Sequence, residues 1–106
     1  MRTLDDLRND IDRVDEVLVR LLNERARVAC EIGRLKKEQG IEVYQPEREK
    51  QVIAHVRGIA VEGPLGADAI ARLFERIIDE ARRLERRVIH GEAQWPADGS
   101  SPHPNP

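Results

Sequence analysis

Arg25 and Lys36 are cations at positions where the surrounding spacing calls for apolar side chains. Leu4, Leu7, Ile11, Val14, Leu18, Leu21, Leu22, Ala29 and Ile32 recur with the period of one helical face. At 100° per residue, Arg25 falls about 20° from the centre of that stripe and Lys36 falls on it. Eleven residues, three helical turns, separate the two, so they share a face roughly 16 Å apart along the axis. Glu85 intrudes in the same way on a later stripe made by Ile70, Leu73, Phe74, Ile77, Ile78, Ala81, Leu84 and Val88; it lies about 55° from the stripe centre. Three readings compete. Long stems can lie on an apolar face with their heads in water. Arg25 and Glu85 can form a buried salt bridge. Or the cations bracket a small anionic metabolite, which their separation suits. Desolvating charge is costly, and an interior that gathers several charges is usually a site.

Two further groups extend the pattern. Arg48 and Glu49 follow Pro46, a residue suited to the first position of a helix. A helix N-terminus offers free N–H groups and positive potential, a natural place to hold a hydroxyl or a carboxylate. Arg8 flanks the first stripe but lies seventeen residues before Arg25, ~25 Å away along one rigid helix. It cannot reach the Arg25–Lys36 region of its own subunit, whereas an antiparallel partner helix would bring a second Arg8 there.

The elements that must position these side chains are helices. The first runs from Thr3 to about Gln39, with Asp5 and Asp6 near its start and Lys36 and Lys37 near its end. It would be ~55 Å long, against ~30 Å across for a compact globule of this chain length. One subunit cannot cover so long an apolar stripe, and a second copy of the chain is the simplest cover. After a loop at 40–45, a second helix runs from Pro46 to about Ile59 with Val52, Ile53 and Val56 inward. Gly63-Pro64-Leu65-Gly66 breaks the chain, and a third helix starts near Ala67 or Asp68 and ends by Gly91. The expected fold class is all-α, with three helices per subunit, one very long and two shorter, in a helical homodimer. Residues 1–91 form one helical domain, and 92–106, rich in Pro, Ser and Gly, is expected to be a disordered tail.

Bulk properties narrow the function. The 106 residues are 40% hydrophobic and 36% charged, with one Trp, one Tyr and one Phe. A core so poor in aromatics is built from Leu, Ile, Val and Ala, which suits helix-on-helix packing. A net charge of −2 gives no overall attraction for nucleic acid. Arg72, Arg76, Arg82, Arg83, Arg86 and Arg87 alternate with Glu75, Asp79 and Glu80, which reads as a solvated, salt-bridged helix face. The lone cysteine, Cys30, allows neither an internal disulfide nor a cysteine-based zinc cluster and is expected to be a small buried residue. The start of the chain shows no apolar signal region and no run approaches membrane-spanning length. The expectation is a cytoplasmic protein without a membrane partner.

Taken in order, several short segments resemble chorismate mutase of the all-α type. They are Leu7-Arg8-Asn9-Asp10-Ile11-Asp12-Arg13-Val14-Asp15, Leu21-Leu22-Asn23-Glu24-Arg25, Glu31-Ile32-Gly33-Arg34-Leu35-Lys36, Pro46-Glu47-Arg48-Glu49 and Leu73-Phe74-Glu75-Arg76-Ile77-Ile78. Each is weak alone; the ordered set, covering about Leu4 to Arg87, is specific. The resemblance implies an intertwined dimer of three-helix subunits with two equivalent active sites. It implies a Claisen rearrangement of chorismate to prephenate on the route to Phe and Tyr, with no cofactor and no metal. By position, Arg25 and the Arg8 of a second copy would clamp the substrate's carboxylates. Lys36 would bind a carboxylate and the ether oxygen, Arg48 would support the carboxylate site, and Glu49 would hold the ring hydroxyl. Glu85 would be the second donor to the ether oxygen, making Lys36, Glu85 and Arg25 the catalytic set.

The chemistry fits the residues. Such a rearrangement needs neither nucleophile nor base. It needs a flexible dianion held in its compact reactive conformer and stabilisation of negative charge growing on the ether oxygen. The chain departs from many relatives at Glu85, where Gln is common, at Gln45, where some have Asp, and at Ala81, where some have Ser. A carboxylate at Glu85 would repel the growing charge, so Glu85 is expected to act as the protonated acid. Two other functions stay open on sequence alone: an isochorismate-pyruvate lyase of the same fold, and a non-catalytic helical dimerisation or regulatory module. Glu49 favours the mutase over the lyase. Association with another enzyme of the shikimate pathway is also left open.

Overall fold

A computed structural model of the chain describes residues 1–92. Helix α1 spans Leu4–Gln39, α2 spans Pro46–Ala60 and α3 spans Ala67–Ile89. The all-α, three-helix reading is borne out, and each helix ends within two residues of its expected limit. The stretch expected to be a tail lies outside the described residues apart from Glu92.

Local chemistry accounts for the boundaries. Thr3 caps α1: its hydroxyl accepts from the Asp6 N–H at 3.1 Å while the Asp6 carboxylate accepts from the Thr3 N–H at 2.9 Å, a reciprocal capping box. At the other end Gly40 adopts φ 66°, a left-handed conformation that costs glycine little. The Gly40 and Ile41 N–H groups both donate to the Lys36 carbonyl, which ends the helix one turn beyond Lys36. Helix α2 opens on Pro46 at its first turn, with Glu47 and Glu49 on the favourable side of the helix dipole. An Arg57–Asp68 ion pair of 2.6 Å links the end of α2 to the start of α3.

Helix α3 lies between the other two and packs against both. Its buried residues are Ala71, Ile78, Glu85 and Val88, and they meet Ala29, Cys30 and Gly33 of α1 and Val56 and Ala60 of α2. The closest approach is made at Gly33. A methyl group built there would stand 3.2 Å from Cα and 3.3 Å from the carbonyl oxygen of Glu85. The missing side chain therefore lets the α3 backbone settle against α1 at the level of Lys36. Cys30 is 2% exposed, the small buried residue expected, and burial pushes its thiol up, only partly offset by Arg34 and Arg87.

The molecule measures 56 × 35 × 15 Å, its longest dimension close to that of α1 alone. The forward half of α1 has little to pack on. Leu4, Leu7, Ile11, Val14, Leu18, Leu21 and Leu22 are 38–62% exposed. Leu73 of α3, expected to face inward, is also exposed; neither neighbouring helix covers its side of α3. A contiguous apolar surface of this kind marks an interaction site. No helix among the described residues is long and apolar enough to cross a membrane.

Candidate active site

The back half of α1, the loop at 41–45, the start of α2 and the later turns of α3 line an open cavity of about 510 Å³, within the size range of small-molecule sites. Seven of the eight residues singled out in the sequence line it: Arg25, Lys36, Gln45, Arg48, Glu49, Ala81 and Glu85. Arg8 does not. It is exposed on the forward half of α1, where it pairs with Asp5 at 3.8 Å, as the length of the helix requires.

Lys36 and Glu85 form the floor. The Lys36 ammonium donates to Glu85 Oε1 at 2.8 Å and to the Val43 carbonyl at 2.9 Å. Both side chains are largely withdrawn from water, at 15% and 10% exposure. An ammonium has three N–H donors, so two fixed partners still leave one for a ligand. Of the alternatives above, an Arg25–Glu85 salt bridge is not formed; Glu85 pairs with Lys36. Arg25 makes no hydrogen bond or ion pair among the described residues, and Arg48 makes only a 3.5 Å contact with Gln51. The Gln45 side chain turns back to donate to the Glu42 carbonyl at 2.9 Å.

One residue is misplaced by the sequence reading. Periodicity groups Arg82 with the arginines of a solvated face, yet it lines the cavity. Its Nε donates to Glu49 Oε2 at 2.8 Å, and its guanidinium lies over the Tyr44 ring, 5.5 Å from the centroid. The polar side of α3 on which it lies faces the first turn of α2 and not water. The neighbouring arginines behave as expected: Arg76 pairs with Asp79 and Glu80, and Arg83 pairs with Asp79. Gly33 is a second residue that the sequence reading misses, although a lone glycine in a long helix hints at close backbone approach.

The cavity thus carries four cations, Arg25, Lys36, Arg48 and Arg82, against two carboxylates, Glu49 and Glu85. With two cations held in ion pairs, an excess of two positive charges remains for a ligand. Val28, Ala29, Ile32, Val52 and Ile78 supply apolar walls, in which fixed charges interact more strongly than in water.

Fold and cavity together define a small helical protein with a metabolite-sized pocket in which cations outnumber carboxylates. Comparison with known proteins makes this specific. Residues 7–86 match the family model described as chorismate mutase type II. The chain is 42% identical over 89 residues to a bifunctional chorismate mutase/prephenate dehydratase of Neisseria gonorrhoeae, a match spanning 80% of this chain and 24% of that protein. It is 34% identical over 91 residues to the protein of the same description from Aquifex aeolicus, spanning 83% and 25%. A chorismate mutase of Methanocaldococcus jannaschii is 26% identical over 86 residues, with 81% of this chain and 87% of that one covered. Among solved structures, form II chorismate mutase from Thermus thermophilus superposes with a TM-score of 0.76 at 38% identity, over 79% of this chain and 94% of that one. The chain belongs to the chorismate mutase type II family. It spans about a quarter of the length of the bifunctional relatives.

Proposed function

We propose that this protein is a chorismate mutase, an isomerase that converts chorismate to prephenate for aromatic amino-acid synthesis. The observation that carries the reading is a cavity whose cations outnumber its carboxylates, as a substrate with two carboxylates requires. Arg25 and the Arg8 of a second copy clamp the carboxylates, and Arg48 supports the carboxylate site. The free N–H of Lys36 serves the ether oxygen, where negative charge grows as the C–O bond breaks and the new C–C bond forms. Glu49 accepts from the ring hydroxyl, and Glu85, beside the ether oxygen, holds the Lys36 ammonium that donates to it. No proton needs to leave the substrate. The rate gain comes from confining the chain in its reactive conformer and from donors fixed in advance.

The working unit is a homodimer in which α1 of a second copy covers the exposed apolar stripe and brings its own Arg8 to the cavity. The area of uncovered Leu, Ile and Val on α1 supports this. The lone buried Cys30 suits the cytoplasm, and relatives that join a mutase to a dehydratase support association with another enzyme of the pathway. The deciding experiment offers the purified protein chorismate and isochorismate separately. Loss of chorismate absorbance with prephenate as product is expected. Release of pyruvate from isochorismate, with chorismate untouched, would make the protein a lyase, and no turnover of either would leave only a helical dimerisation module.

A further inference from the structure

We propose that Arg82 is the positioning residue of the site: it fixes the Glu49 carboxylate so that one oxygen is presented to the substrate's hydroxyl. The inference rests on the mutase reading and adds a residue that neither the sequence pattern nor the family resemblance assigned.

The geometry is that of a clamp. Glu49 sits in the first turn of α2, a helix whose N-cap, Gln45, makes no side-chain capping bond. A glutamate there has three free torsions and would scatter its carboxylate over several rotamers. Arg82 removes that freedom from the opposite wall. Its Nε donates to Glu49 Oε2 at 2.8 Å, leaving Oε1 as the acceptor for a ligand. Arg82 is itself held on three sides: by Glu49, by the Tyr44 ring below its plane, and by Asp79, one turn earlier on α3, at 3.5 Å. Both members of the Arg82–Glu49 pair are about three-quarters withdrawn from solvent, so the bond is sheltered from screening. A planar guanidinium can stack on a ring and bond a carboxylate edge at once, which an ammonium cannot do. The clamp also ties the 41–45 loop, α2 and α3 together at the cavity mouth, so one side chain sets where the hydroxyl acceptor stands relative to the Lys36–Glu85 floor.

A double-mutant cycle tests this. Arg82→Leu, Glu49→Gln and the combined variant are compared with the parent for kcat and KM on chorismate, with thermal melts as a folding control. Loss of an oriented, charge-assisted hydrogen bond is expected to lower kcat/KM about tenfold to a hundredfold in Arg82→Leu. In the Glu49→Gln background the same change should cost less than about threefold, because there is no longer a carboxylate to aim. Arg82→Lys, which keeps the charge but not the stack, should fall between parent and Arg82→Leu and guards against misfolding of the leucine variant. Equal losses from removing Arg82 in both backgrounds, or full activity of Arg82→Leu, would overturn the clamp while leaving the mutase reading intact. An inactive parent would overturn both.

Discussion

Replacing Lys36 by methionine removes the charge at the cavity floor and nearly preserves the side chain's bulk. Lys36 makes two bonds in the unliganded molecule, to Glu85 at 2.8 Å and Val43 at 2.9 Å, and the mechanism assigns its third donor to the ether oxygen. Deleting a donor aimed at developing charge typically costs about 10²–10³ in kcat. Lowering the excess positive charge of the cavity should raise KM as well. The same change strands Glu85, a carboxyl with 10% exposure, at a cost of about 1–3 kcal/mol in stability. For a domain of this size that lowers Tm by roughly 4–8 °C per kcal/mol. The double variant Lys36→Met/Glu85→Gln separates the two effects, since a neutral amide needs no counter-ion. Its melting temperature should recover most of the loss while its turnover stays low. The assay is the fall in chorismate absorbance, followed with circular dichroism melts of the same samples. A folded Lys36→Met protein within threefold of the parent in kcat/KM would refute the role given to this lysine.

Two more expectations follow from the packing around Glu85. Glu85→Gln keeps an acceptor for the Lys36 ammonium and should retain most of the turnover, whereas Glu85→Leu leaves Lys36 with one fixed partner and should lose about tenfold or more in kcat; a leucine variant as active as the parent would show that Glu85 does not hold Lys36. Gly33→Ala gains about 1 kcal/mol of helix propensity, but its methyl would press on backbone atoms of Glu85 at 3.2–3.3 Å, and overpacking of about 1–3 kcal/mol should win. A lower Tm and a raised KM are expected, and a more stable variant would mean that α3 can move away from α1 freely.

The sequence carried most of this architecture in its periodicity. Helices α1 and α3 showed long apolar stripes, and Thr3, Gly40 and Pro46 marked boundaries through capping and backbone preferences that act locally. The site was legible for a related reason: Arg25, Lys36 and Glu85 violate the stripes on which they lie, and a violation is visible without knowing what packs opposite. Arg82 breaks no pattern on its own helix. It became part of the site because α2 packs back against α3 and covers a polar side that periodicity alone assigns to water. The pairing of Glu85 with Lys36, and not with Arg25, was hidden likewise. It follows from the depth to which α3 sinks at Gly33, a tertiary distance that no helical wheel contains.

The account rests on cations of one chain forming a pocket that a second chain completes, and complementation between two crippled variants tests it most directly. Arg8→Ala and Arg25→Ala should each lose activity by about a hundredfold or more, since each removes a charged clamp on a carboxylate. Unfolded together and refolded as a mixture, they should form mixed dimers in which one of the two sites regains both arginines. Activity should then climb to about a quarter of the parent's, because half of the dimers are mixed and each of those has one whole site. An Arg8→Ala protein with full activity, or a mixture no more active than its components, would contradict the shared site.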